Sequence, residues 1–307
     1  MLPSLHCGVN AARATWGLDR PVGGAYYSPR GRQGHTRERA SAGRVEMLPE
    51  YDLSGKRVLI TGAGRGIGKG IALVLAEAGA HVAVTALTEA NAHRVAEGVR
   101  ALGRRSLGIV ADATNEEAMT RLAGQLQREW GGIDVLINCV GDAIQKAVAP
   151  LPNRNEPGMT LEDWRRIVDI NLTEAFLGCR AFGPYFLQRQ KGNVINISSF
   201  AAFQASPLRS AYDAAKAGLT HFTRSLALEW APYGIRVNAI APGLFPDPEQ
   251  LPPEEYRRRQ ERALQQVPLG RLGSLREVGL LAVYLASDAS AYVTGQTFVI
   301  DGGLSVA

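Results

Sequence analysis

Three side chains in the middle of the chain have the types and spacing for proton chemistry. Tyr212 and Lys216 stand four residues apart in an apolar-periodic stretch, so a helix there puts both on one face. A free phenol titrates near 10 and is a poor acid–base group at neutral pH; an ammonium beside it favours the phenolate and is expected to lower that value. Ser199, thirteen residues before Tyr212, follows the apolar run Val194 to Ile197 and offers a hydroxyl. A second candidate is built from backbone. Gly62, Gly66 and Gly68 are spaced GxxxGxG within Thr61-Gly62-Ala63-Gly64-Arg65-Gly66-Ile67-Gly68, ahead of the apolar period Ile71, Ala72, Val74, Leu75. Glycines permit positive φ, and free amides at a helix N-terminus attract phosphate. The strict GxGxxG spacing is absent, because the sixth position is Ile67 counted from Gly62 and Lys69 counted from Gly64.

The elements that must position these groups alternate between short apolar or β-branched runs and helical periods. Strands are predicted at Arg57 to Thr61, His81 to Thr85, Ser106 to Val110, Asp134 to Asn138, Asn193 to Ile197, Arg236 to Ile240 and Thr297 to Ile300. Helices are predicted near Ile67 to Ala78, Glu89 to Leu102, Asn115 to Trp130, Leu161 to Gln190, Ser210 to Ala231 and Leu275 to Ala286, with a lid helix beginning near Glu254. Right-handed crossovers between such elements give an α/β fold: a single doubly wound, Rossmann-type domain with a seven-stranded parallel sheet over residues 47–307. Ligands of such a sheet sit at the carboxyl ends of its strands. Residues 1–46 differ, with seven arginines against three acidic residues, no lysine, seven glycines and three prolines. They are expected to be a disordered Arg-rich tail or a start assigned upstream of Met47. Their composition also resembles an organelle transit peptide, although Gly and Pro oppose the amphipathic helix such a peptide needs.

At this point the chain resembles the short-chain dehydrogenase/reductase family over residues 52–307. That family's TGxxxGxG loop, catalytic serine and YxxxK match Thr61 to Gly68, Ser199, and Tyr212 to Lys216. The resemblance implies hydride transfer between a nicotinamide dinucleotide and a ketone or secondary alcohol. Negative charge then develops on the carbonyl oxygen, and Tyr212 is the expected acid in reduction and base in oxidation. By the same resemblance Ser199 holds the reacting oxygen, Lys216 also holds the nicotinamide ribose, and Asn171 anchors a water linking Lys216 to solvent. Gly62, Arg65, Gly66, Ile67 and Gly68 form the phosphate loop; Asp112 and Ala113 lie at the adenine; Pro242 and Gly243 lie beside the nicotinamide. The family's NNAG reads Asn138, Cys139, Val140, Gly141, keeping Asn138 and Gly141 as cofactor contacts. Its threonine four residues after the Pro-Gly turn is Asp247.

An NAD-selective site places an acid at the end of the second strand, where this chain has Ala86, Leu87 and Thr88. With Arg65 and Thr88 available to a 2′-phosphate, NADP(H) is expected rather than NAD(H). The body most resembles 3-oxoacyl thioester reductases, with sugar-acid, polyol and alcohol dehydrogenases close behind; a non-catalytic dinucleotide sensor or scaffold is the reading from another class. Pocket walls are expected from Gly141 to Thr160, Phe200 to Ala211 and Leu244 to Leu269. The Arg257, Arg258, Arg259 run reads as a solvated helix face.

Composition bounds the rest. At 46% hydrophobic and 21% charged residues the chain is globular, and no apolar run reaches the ~18 residues of a membrane helix. Outside the first 46 residues, 27 basic groups face 26 acidic ones, which offers no phosphate-tracking surface for nucleic acid. Cys7, Cys139 and Cys179 have neither disulfide nor metal spacing, so no metal site is readable and a cytoplasmic location is expected. Apolar residues on several faces of the two long helices, together with the family resemblance, point to a homotetramer of 222 symmetry with a small-molecule substrate.

Overall fold

The structure is a computed structural model and describes residues 48–307. The expected tail over 1–46 lies outside the described residues. Strands β1 (Arg57–Ile60), β2 (His81–Ala86), β3 (Ser106–Val110), β4 (Val135–Asn138), β5 (Gly192–Ile197), β6 (Ile235–Pro242) and β7 (Thr297–Ile300) form one parallel sheet in the order β3-β2-β1-β4-β5-β6-β7. Their runs lack polar alternation because helices cover both faces, and every residue of β4 is buried. All seven predicted strands are present, β6 running two residues past its predicted end to Pro242.

The helices are α1 (Gly66–Glu77), α2 (Glu89–Ala101), α3 (Glu116–Trp130), α4 (Leu161–Val168), α5 (Glu174–Arg189), α6 (Ser210–Trp230), α7 (Pro253–Gln266) and α8 (Leu275–Ala286). One core layer packs α1, α2 and α8 against one face of the sheet, around Val58, Ile60, Ile71, Leu75, Val95 and Val278. The other packs α3, α5 and α6 against the opposite face, around Leu59, Leu126, Leu136, Phe182, Phe186 and Leu226. Each such side chain contributes about 1.5–3 kcal/mol by leaving water. Capping boxes at Thr160 with Asp163 and at Ser274 with Glu277 fix where α4 and α8 begin.

Two sequence expectations need correction. The predicted helix over Leu161 to Gln190 is broken: α4 ends at Val168, a widened π turn occupies Asp169–Thr173, and α5 starts at Glu174. The Asn171 amide explains the break, since it donates back to the Ile167 carbonyl at 2.9 Å and competes with the backbone ladder. The excess apolar faces of the long helices are also narrower than expected. Ala175, Cys179, Phe182, Phe186, Ala215, Leu219 and Leu226 are buried within this chain's own fold, leaving Phe176 and Leu228 exposed.

The chain steps outward from β1 to β2 to β3, then returns to lay β4 on the other side of β1. That reversal opens a crevice at the carboxyl ends of β1 and β4, where the loops after the two strands diverge.

Candidate functional site

The glycine loop fills the β1 side of the crevice. The Thr61 hydroxyl accepts from the Cys139 amide at 3.0 Å, and the Ala63 amide donates to the Thr85 carbonyl at 2.9 Å, so β2 and β4 both hold the loop. Gly62 has φ of +65°, and a Cβ there would meet the Val140 side chain at 2.8 Å. Gly66 opens α1 with φ of +58° and open space where a Cβ would stand. Both conformations favour glycine, and the second exposes the first amides of a helix. Gly68 is buried and Ile67 half-buried behind them, while Arg65 precedes α1 with its side chain exposed.

At the end of β2, Ala86 is buried, Leu87 and Thr88 are exposed, and no acid is present. Arg94 of α2 reaches this corner and donates to the Gly64 carbonyl at 3.1 Å. Past β3, Ala113 is buried and Asp112 is exposed, its carboxylate accepting from the Thr114 amide and hydroxyl at 2.9 and 2.7 Å. Pro242 and Gly243 close β6, with the Gly243 amide donating to the Ile300 carbonyl at 2.9 Å. The cradle therefore fits a nicotinamide dinucleotide in its loop, its helix N-terminus and its acid-free ribose corner. One residue departs from that fit: the Asp247 carboxylate accepts from the Gly66 amide at 3.0 Å.

The four candidate catalytic residues meet on the other side of the crevice. Lys216 is buried in α6 and donates to the Ile197 carbonyl at 2.9 Å. Asn171, fully buried in the π turn, also donates to the Asp142 carbonyl at 2.7 Å and accepts from the Asp142 amide at 3.3 Å. Gly141 marks where the two converge, because a Cβ there would lie 3.1 Å from Asn171 Oδ1 and 3.3 Å from Lys216 Nζ. Ser199 is buried at the end of β5, accepting from the Ala201 amide at 3.2 Å. Tyr212 is half-buried, with Lys216 Nζ 5.9 Å from its ring centroid and the Arg209 guanidinium nearer, at 4.8 Å.

These distances revise the expected electrostatics. Burial raises the Tyr212 pKa above its ordinary value; the Ser199 hydroxyl and the Arg209 charge pull against it, and the net direction is upward. The expected lowering by Lys216 is thus overturned, since the ammonium is directed at Ile197. Lys216 has a lowered pKa through burial, opposed by the carboxyl of Glu174. Glu174, the first residue of α5, is fully buried, and its pKa is pushed up to about 8 by burial, with Lys216 and Thr61 restraining the shift. Burial also pushes the Cys139 and Cys179 thiols up to about 12, which leaves both as poor nucleophiles.

Asn138 is not brought to the crevice by its side chain. Its amide faces inward and donates to Asn196 Oδ1 at 2.9 Å, joining β4 to β5. Conversely, Arg94, Glu174 and Arg209 reach the site without a sequence motif. The readable signal was faint: a lone acid heading an apolar helix, and a basic residue three positions before Tyr212.

Beyond Tyr212 opens a cleft of about 850 Å³ lined in part by Gln145, Phe200, Arg209, Phe245, Arg259 and Arg262. All three predicted wall segments contribute to it. Arg259 pairs with Glu255 at 2.9 Å, while Arg257 and Arg258 are exposed on α7.

Comparison with known proteins agrees with this geometry. A family model described as Enoyl-(Acyl carrier protein) reductase matches residues 62–305. A 3-oxoacyl-[acyl-carrier-protein] reductase of Synechocystis sp. is 38% identical over 256 residues, covering 82% of this chain and 98% of that protein. A 2-dehydro-3-deoxy-D-gluconate 5-dehydrogenase of Bacillus subtilis is 36% identical over 253 residues, covering 82% of this chain and 96% of that protein. Among solved structures, a gluconate 5-dehydrogenase from Burkholderia cenocepacia J2315, in complex with NADP and tartrate, aligns with a TM-score of 0.76 at 31% identity over 84% of this chain and 98% of that one. With the glycine loop, the Ser199, Tyr212 and Lys216 cluster and these matches in agreement, the chain belongs to the short-chain dehydrogenase/reductase family and is a nicotinamide-dinucleotide oxidoreductase acting on CH–OH groups.

Proposed function

We propose that this protein is an NADP(H)-dependent reductase of 3-oxoacyl thioesters or closely similar ketones, with Tyr212 as its acid. The observation that carries the reading is the meeting of Asn171, Ser199, Tyr212 and Lys216 beside the glycine loop. Burial holds the Tyr212 phenol in its protonated form, while the Ser199 hydroxyl and the Arg209 charge pull its pKa back down and so favour passing the proton to a carbonyl oxygen as charge develops there. The Ser199 hydroxyl, buried and next to the phenol, holds that oxygen. Lys216 secures the nicotinamide ribose, and Asn171 binds a water that connects Lys216 to solvent. When bound, the dinucleotide supplies the hydride; Gly62, Arg65, Gly66, Ile67, Gly68, Thr88, Asp112, Ala113, Gly141, Pro242 and Gly243 form its groove.

A sugar acid is the second reading, favoured by Arg209 and Arg262 in the cleft wall, where Arg259 is already paired with Glu255. Guanidinium groups there suit a substrate carboxylate. The free thiols of Cys139 and Cys179 support a reducing, cytoplasmic setting. Exposed Phe176 and Leu228 support self-association into a homotetramer. Among the described residues, no helix is long and apolar enough to cross a membrane.

The NADP(H) preference rests on the acid-free end of β2 and on Arg65 and Arg94 near it. Removing the Arg65 guanidinium in Arg65→Ala is expected to weaken NADPH binding by about 5- to 150-fold, the range of a charge-assisted contact, and to leave NADH nearly unchanged. Titration of both cofactors by fluorescence checks this, and equal losses for the two would contradict it.

A further inference from the structure

Asp247 caps the amide end of α1, where a doubly wound fold places a dinucleotide's pyrophosphate. The Gly66 amide heads α1, a helix of twelve residues, and donates to Asp247 Oδ2 at 3.0 Å. The first amides of a helix have no partner within it and carry its positive end, which is why a doubly wound fold binds pyrophosphate there. Asp247 Oδ1 accepts from the Glu249 amide at 3.1 Å, so the same carboxylate starts the turn Pro248–Gln250. The residue is 7% exposed. Lys69, one turn into α1, lies 3.9 Å from Asp247 Oδ2 and forms an ion pair with Glu249. The segment after β6 is thus fastened to α1 at two points, and its anchor is an anion on an anion site.

A carboxylate and a phosphate cannot both accept the single Gly66 N–H, and their like charges repel. We propose that Asp247 is an internal anion closing the phosphate end of the cofactor groove, so that segment 244–251 is a strap which must release Gly66 before a dinucleotide seats. Lys69 gives the released carboxylate a place to go, since it already lies between Asp247 and Glu249. Leu244, Phe245 and Pro246 of the same strap line the substrate cleft. Release of Gly66 therefore also moves residues of the substrate wall. The proposal rests on the dinucleotide reading of the groove.

The test uses the full chain with Asp247→Asn, which keeps an acceptor oxygen without the charge, and Asp247→Ala, which removes both. NADPH dissociation constants come from nicotinamide fluorescence, and melting temperature is followed with inorganic pyrophosphate as a probe. A ligand that must displace an internal competitor gains the competitor's share of the equilibrium when it is removed, on the order of tenfold. The NADPH Kd is expected to fall by about that factor in Asp247→Ala and by roughly threefold or more in Asp247→Asn. Pyrophosphate is expected to raise the melting temperature of Asp247→Ala and not that of the unaltered protein. A Kd that is unchanged or higher in both variants overturns the strap alone. Failure of the unaltered protein and both variants to bind NADPH or NADH overturns the dinucleotide reading and the strap with it.

Discussion

Glu174 lies fully buried where the π turn meets α5, with the Thr61 hydroxyl 3.5 Å from one carboxyl oxygen. Its other oxygen has no hydrogen-bond partner among the described residues. Burial accounts for its raised pKa, with Lys216, Cys139 and Cys179 as the titratable groups that feel its charge. The folded protein keeps this proton up to about pH 8, whereas the unfolded chain loses it near 4.5. Between those values the native state binds more protons, so this group makes stability fall as pH rises and stop falling above about 8. Glu174→Gln mimics the protonated acid and removes that slope. Its melting temperature relative to the unaltered protein is expected to rise between pH 5 and pH 9, by on the order of 10 °C. A difference independent of pH, measured by calorimetry, would contradict the assignment. The residue types of the catalytic cluster were legible because Ser199, Tyr212 and Lys216 keep a recognisable spacing. The direction of the Lys216 ammonium was not, because its Ile197 partner is set by how α6 packs on β5, a contact nineteen residues apart in sequence.

Strands were the most legible elements, since short β-branched runs bounded by Gly or Asp leave few alternatives once both sheet faces are covered. The break at Asp169–Thr173 was not legible, because apolar residues continue through it and one inserted residue barely disturbs the period. That break places Asn171 against Gly141, so an irregularity invisible in the pattern is what positions a catalytic candidate. On the outer side of the same layer, Phe176 of α5 packs edge-on against Phe222 of α6 at 6.5 Å between centroids, and Leu228 of α6 is 80% exposed. Leu280 of α8 and Val299 of β7 are exposed elsewhere. The proposed 222 assembly would cover exposed apolar side chains of this kind at two distinct symmetric contacts. Light scattering at micromolar concentration is expected to give four times the mass of one chain, and Leu228→Glu to reduce it. A fully active monomer would refute the assembly.

At the scale of the molecule, the sheet order brings three independent pieces of chemistry to one crevice. The glycine loop follows β1, Gly141 follows β4, and Ser199 follows β5, while α6 delivers Tyr212 and Lys216 from the far side. This convergence was legible only through the expected doubly wound order, since residues 62 and 216 are linked by topology and not by local pattern. The strap's hold on Gly66 was beyond reading, because a carboxylate's partner 181 residues away leaves no trace in spacing. In the proposed function a single phenolic proton, that of Tyr212, completes ketone reduction in this crevice. Tyr212→Phe keeps the ring and removes only that proton, so NADPH oxidation followed by absorbance across a panel of 3-oxo esters and keto acids tests it most directly. The expected result is turnover of at least one ketone by the unaltered protein, and in Tyr212→Phe a kcat below about a tenth of that value with the NADPH Kd unchanged. A Tyr212→Phe protein that turns over the same ketone at near the original rate would contradict the account.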